Sequence, residues 1–224
     1  MSNASDDQRV RLAVYQHLVD TGTAPTTDVL VGILGMSREE LDSSLHRLNC
    51  SHALVLQPDT KEIWMAHPFS AVPTPYPVKT SEITYYANCA WDALGIPALL
   101  QVDSITETAC VDCQESLTIG ISGDRLIGSD YVIHFSVPPR HFYDDVGFTC
   151  ATIQLFRSEE HVERACVING IPKGETISVE TCWRLSKLWY ADRMQIDWHA
   201  KSAPTIKTIF DSINLTGNFW SVDS

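Results

Sequence analysis

Tyr86-Ala87-Asn88-Cys89-Ala90-Trp91-Asp92-Ala93-Leu94-Gly95-Ile96-Pro97-Ala98-Leu99-Leu100 sets a thiol and a carboxylate three residues apart inside an otherwise apolar run. Residues i and i+3 lie on one face of a helix, so Cys89 and Asp92 are expected to address one small volume. Ala90, Trp91, Ala93 and Leu94 would dry that volume, and drying favours the protonated form of a carboxyl group, a proton donor near neutral pH. The same pattern also fits a buried helix with a packing cysteine and an Asp satisfied by backbone groups, because free cysteine is among the most buried residue types. The run divides the chain, with helical periodicity before it and strand-like text after it.

On the N-terminal side, residues 7–20 place Val10, Leu12, Ala13, Tyr15, Leu18 and Val19 at near-helical spacing before Thr21-Gly22-Thr23 stops them. Thr26 caps a second helix that Gly35 ends, and Ser37 with Glu40 makes a capping box for a third. Ala53–Leu56 and Glu62–Ala66 then read as extended pieces around a turn at Pro58-Asp59-Thr60. Three helices and a hairpin predict a winged-helix-like domain over 1–67. Residues 1–70 carry 5 Lys/Arg against 9 Asp/Glu, so the basic footprint of a DNA reader is missing and a structural or lid role is expected. Pro68, Pro73, Pro75 and Pro77 mark 68–80 as a linker without regular structure.

On the C-terminal side, 81–224 is the expected catalytic domain. Strands are expected over 101–106, 116–121 and 131–137, with Cys110-Val111-Asp112-Cys113 in the turn between the first two. Gly147–Phe156 reads as a buried strand or as loop running into strand or helix. A helix should start at Ser158, Glu175–Val179 is a strand or helix approach, 180–195 is helical, and the tail beyond 200 is undetermined. The fold class is therefore α+β: the winged-helix-like unit, then a mixed or antiparallel sheet core with peripheral helices.

At 224 residues and 44% hydrophobic content the chain supports one good core, or one core with a small appended domain. A net charge of −12 argues against nucleic acid and anionic membranes as partners. No apolar run approaches the roughly 18 residues that span a bilayer. Met1–Asp7 is polar, expected to be disordered, and has no signal-like apolar core, so the cytoplasm is the expected location. The seven cysteines are odd in number and irregular in spacing, which fits reduced thiols used for soft-metal or nucleophilic chemistry.

These motifs together resemble the organomercurial (alkylmercury) lyase family. Tyr86–Leu94 with Pro97-Ala98-Leu99 is similar to its Cys-x-x-Asp signature, and Ser116-Leu117-Thr118-Ile119 to the strand that follows. Cys150, with Ile153–Ser158 after it, resembles the segment carrying the second active-site cysteine. Ile177–Glu180 with Trp183 and Leu185 resembles the last helical region. The resemblance implies that Cys89 and Cys150 capture mercury as thiolates and that Asp92, beside the metal, protonates the leaving carbon. Mercury would be substrate and product, with no cofactor required. External thiols or a mercuric reductase would take the Hg(II). The alternative is a related soft-metal or thiol-binding protein, or a lyase for another organometal or sulfur substrate.

The remaining candidates read as follows. Cys110 and Cys113 are half a zinc site, a redox or mercury-relay pair, or unligated turn cysteines. His134, His141, His161 and His199 show no metal-ligand spacing, and Trp183, Trp189 and Tyr190 read as core. Cys50, Cys166 and Cys182 read as packing residues.

Overall fold

The computed structural model describes residues 5–123 and 125–222. Met1–Ala4, read as disordered, lie outside the described residues, but the polar start beyond them is ordered. Ser5 caps α1 (Asp6–Thr21) in a capping box with Gln8, so Asp6 and Asp7 sit in a first helical turn, where negative charge is favoured. Thr26 caps α2 (Thr27–Leu34), which ends at Gly35, and Ser37 with Glu40 caps α3 (Arg38–Cys50). Val10, Val14, Leu18, Leu30, Leu41 and Leu45 are buried between these helices. A three-stranded antiparallel sheet follows: β1 (Val55–Leu56), β2 (Ile63–Ala66) and β3 (Phe69–Ser70).

The proline-rich stretch 68–80 is not an unstructured linker. It contains β3, paired with β2 as Met65↔Ser70 and Ala66↔Phe69, and β4 (Pro77–Lys79), paired with β5 (Thr84–Tyr86). Pro77 is tolerated because it is the first residue of its strand. A bridge from Phe69 to Ala87 and a hydrogen bond from Tyr85 Oη to the Val19 carbonyl (2.8 Å) tie the helical unit to the rest. The chain therefore returns to α4 along a fixed path, with His67 held at the β2–β3 turn.

α4 (Ala90–Leu100) is the central element. Its residues from Ala90 to Leu99 are all buried, and it packs on β4, on β10 (Gln154–Phe156), and on β7 (Ser116–Ser122) and α7 (Val179–Tyr190). A helix apolar all round has to be enclosed on every side, and here two sheets and a helix do so. One sheet has the order β5-β4-β6-β7-β8, with β6 (Ser104–Ala109) and β8 (Arg125–Ile127), a short strand that periodicity did not signal. The other has β9 (Val132–Phe135) between β10 and β11 (Glu175–Ser178). All described ladders are antiparallel. The single mixed or antiparallel core sheet expected from the sequence is thus two separate antiparallel sheets, because α4 occupies the space between them.

Gly147–Phe156 resolves into α5 (Val146–Thr152), capped by Asp145, followed by β10. α6 (Glu159–Asn169) starts as expected after Ser158. α7 stops at Tyr190, short of the expected residue 195, and the undetermined tail forms α8 (Ala203–Ser212) against it. Among the described residues, no helix is long and apolar enough to cross a membrane.

Candidate active site

Cys89 is the N-cap of α4 rather than a residue within it. Its backbone is extended (φ −156°, ψ 178°), and its Sγ accepts the Asp92 amide at 3.4 Å. Thiol and carboxylate therefore both sit at the first helical turn, where free amides favour anions. The Ala90 amide, one of the donors a helix leaves unsatisfied at its start, binds the Ile153 carbonyl at 3.1 Å. Ile153 ends α5, three residues past Cys150, so this bond fixes the two cysteines to one place.

Cys89, Asp92 and Cys150 line one cavity. Its other walls include His67, Trp91, Tyr143, Trp189, Tyr190 and Arg193. Cys89 is 1% exposed and Cys150 is 7% exposed, so both thiols are withdrawn from bulk water. Burial pushes the Cys89 thiol well above its ordinary pKa, and its interactions with Cys150 and Asp92 push it the same way. The resting Cys89 is thus a neutral thiol, and it has to lose its proton when a metal arrives.

The expected apolar surroundings are present, but three donors converge on Asp92 within them. Tyr190 Oη donates to Oδ1, Asn88 Nδ2 donates to Oδ2 at 2.9 Å, and His67 Nδ1 meets Oδ2 at 3.1 Å. Burial pulls the His67 pKa down, but its interactions with Asp92, including their hydrogen bond, and with Cys150 outweigh that and the net shift is upward. Burial also pushes Tyr190 well above the ordinary phenol value, with Asp92 and Cys89 adding to it, so Tyr190 stays a donor. Asn88 is itself held by the carbonyls of Pro68 (3.3 Å) and Phe69 (3.2 Å).

None of these three donors was assigned a role from sequence. His67 is the last residue of the expected N-terminal unit, with no motif around it, and Tyr190 reads as core with Trp183 and Trp189. Tyr190 and Trp189 in fact line the cavity, whereas Trp183 does not. One signal was available in Gly95, one turn after Asp92. A Cβ there would lie 2.6 Å from the Tyr190 ring and 2.9 Å from Pro68 Cβ. The glycine lets α7 approach α4 closely enough for Tyr190 to reach the carboxylate.

The cavity wall also presents polar atoms without partners among the described residues: His67 Nε2, Trp91 Nε1 and Thr149 Oγ1 are buried and unbonded. Donor atoms of His67, Asp92 and Cys150 lie within 4.8 Å of one another, a spacing that suits a metal ion. No such three-residue group surrounds Cys110 and Cys113 among the described residues. All seven cysteines are free.

The sequence model of the alkylmercury lyase family matches residues 69–191, a stretch that holds Cys89, Asp92, Cys150 and Tyr190. Among solved structures, the chain is similar to the mercury-bound form of MerB2, with a TM-score of 0.70 and 20% identity, over 87% of this chain and 94% of that one. That likeness extends the shared fold into the N-terminal helices. No curated protein matches the sequence.

Proposed function

Because this chain belongs to the alkylmercury lyase family, we propose that it cleaves carbon–mercury bonds by protonolysis, with Cys89 and Cys150 as the capturing thiolates and Asp92 as the proton donor. The observation that carries this reading is one largely apolar cavity holding two buried thiols and a hydrogen-bonded carboxylate. Soft thiolates outcompete every other side chain for mercury. An organomercurial R–Hg–X binds first to one cysteine, displacing its proton, which leaves with X. The second thiol then binds, and its proton passes to Asp92. Two thiolates on mercury push electron density into the Hg–C bond. That bond breaks as Asp92 returns the proton to carbon, releasing R–H and leaving Hg(II) held by both sulfurs. Tyr190, Asn88 and His67 hold the carboxylate in place through this exchange, and the apolar cavity walls limit competing ligands.

The scheme needs no cofactor. Small cellular thiols, or a mercuric reductase, would then remove the Hg(II) by exchange. Free cysteines throughout fit a reducing compartment such as the cytoplasm. We read residues 1–67 as a winged-helix-like structural unit that supplies His67 to the cavity wall, residues 68–80 as the seam, and 81–224 as the catalytic part.

The test is incubation with methyl- or phenylmercury and excess thiol, following methane or benzene by gas chromatography. Release well above a Cys89→Ser control is expected, and release no greater than that control overturns the proposal. A second reading, soft-metal capture without turnover, draws on the His67, Asp92 and Cys150 donor cluster. It requires mercury to be retained with no hydrocarbon formed by the unaltered protein.

A further inference from the structure

Two arginines are buried behind the cavity without an acid to match them. Arg11 is 1% exposed and Arg193 is 4% exposed, and neither forms an ion pair among the described residues. A buried guanidinium ordinarily sits against a carboxylate, because leaving water uncompensated is costly. Arg11 spends its donors on backbone, giving its Nη atoms to the Arg193 carbonyl (2.6 Å) and the Gln195 carbonyl. Its guanidinium also lies 5.1 Å from the Trp198 ring.

Arg193 differs. Its Nε donates to the His67 carbonyl at 3.2 Å and its guanidinium stacks 4.1 Å from the Trp198 ring, but its two Nη groups meet no acceptor among the described residues. Arg193 lines the cavity of Cys89, Asp92 and Cys150 and also a second cavity beside it. The two share Phe142, Tyr143, Trp189 and Arg193 as walls, so they form adjoining chambers. The second chamber adds His52, which stacks on Tyr143 at 4.3 Å, and Lys201, whose charge is already paired with Asp192 at 2.8 Å. Among the described residues, Arg193 is thus the cation there whose Nη groups remain without an acceptor. It is absent from the stretch matched by the family model, which ends two residues earlier.

We propose that Arg193 and the second chamber form a carboxylate-binding subsite for the molecule that carries mercury to Cys89 and Cys150. A guanidinium offers two parallel N–H donors that fit a carboxylate, and a buried one binds it far more strongly than an exposed one. The aromatic partition of Phe142, Tyr143 and Trp189 suits a flat or alkyl spacer between the carboxylate and the metal. This proposal rests on mercury being bound at the two thiols. The carboxylate can belong to the organic group on mercury or to a thiol delivered with it, and two experimental arms separate these sources.

Trp91 and Trp189 line the thiol cavity, so mercury arrival quenches their fluorescence whether or not the carbon bond later breaks. Stopped-flow quenching therefore reads capture independently of catalysis, and a failed lyase reaction leaves this measurement intact. In the first arm, 4-carboxyphenylmercury is compared with phenylmercury. In the second, phenylmercury is supplied as its 3-mercaptopropionate complex and as its 2-mercaptoethanol complex. A half-saturating concentration roughly tenfold or more lower for the carboxylated form, in one arm or both, is expected for a charge-assisted pair. No preference in either arm overturns the proposal. Arg193→Gln should abolish the preference, and Arg193→Lys should keep part of it. A folded Arg193→Gln protein that retains the full preference also overturns the assignment to Arg193. If the Gln variant does not fold, the wild-type ratios and the Lys variant still decide.

Discussion

The two cysteine pairs of this chain share a residue type and differ in everything that makes a thiol useful to a soft metal. Cys110 and Cys113 are neighbours in sequence, in the turn between β6 and β7. Cys110 is buried and Cys113 exposed. The Cys110 amide binds the Glu115 carbonyl at 2.8 Å, its carbonyl accepts from Gln114, and the acid between them, Asp112, is committed to Arg164 at 2.7 Å. Cys89 and Cys150 are far apart in sequence, yet both are buried, both line one cavity, and the acid beside them faces that cavity. Proximity along the chain fixes the shape of a turn. A mercury site needs two thiols, a proton donor and dryness in one volume, and here long-range packing assembles them.

The largest test of that contrast exchanges a single sulfur for oxygen in each pair. Cys89→Ser or Cys150→Ser should lower hydrocarbon release by about a thousandfold or more, since a hydroxyl is a poor ligand for a soft ion. Asp92→Asn should lower release by about a hundredfold to ten-thousandfold, the range for a lost general acid. The same protein should still retain mercury on gel filtration.

Gly95→Ala comes next. Its methyl would press on Tyr190 and Pro68, withdrawing the Tyr190 hydroxyl from Asp92. We expect a destabilisation of about 1–3 kcal/mol by denaturant titration and a loss of activity of about tenfold. Tyr190→Phe should show the activity loss with less destabilisation.

His67→Gln sharpens the carboxylate side through pH. The folded His67 has its pKa raised, so the stability of its pairing with Asp92 is full below the ordinary imidazole value of about 6.5 and fades as pH rises through the folded value. The stability difference between wild type and His67→Gln should therefore be larger at acidic than at alkaline pH. A difference that grows toward alkaline pH contradicts an imidazolium–carboxylate pair. The smallest effect belongs to the other cysteine pair. Cys113→Ser, at an exposed turn position, should change hydrocarbon release less than twofold and stability by no more than about 0.5 kcal/mol.

Local signals made much of this molecule readable from sequence. The caps Thr26 and Ser37, the apolar run Ala90–Leu100 and the alternation of the later strands follow from hydrogen bonding and periodicity within a few residues, whereas the Ser5 cap sits in a stretch whose polarity reads as disorder. The Cys-x-x-Asp pattern and Cys150 drew attention to residues that do share a cavity. What was hidden depends on contacts that no short window contains. The proline-rich stretch forms β3 and β4 because partners elsewhere supply their ladders, and that folding carries His67 to Asp92. Tyr190 reaches the cavity through the packing of α7 on α4, Arg193 follows in the turn beyond it, and a helical stripe gives no indication of which of its members meets a carboxylate. Cys89 itself was expected within the helix, yet it caps it, since the Asp92 amide needed an acceptor that Sγ provides.

The central claim is that both thiols and the acid act on one mercury atom, and a single-turnover experiment tests it most directly. Phenylmercury is mixed with an equal amount of protein without added thiol, and benzene and protein-bound mercury are counted together. The account predicts close to one benzene released and one Hg(II) retained per wild-type chain. It also predicts mercury retained without benzene for Asp92→Asn, and no benzene for Cys150→Ser. Equal benzene release from wild type and Cys150→Ser would contradict it.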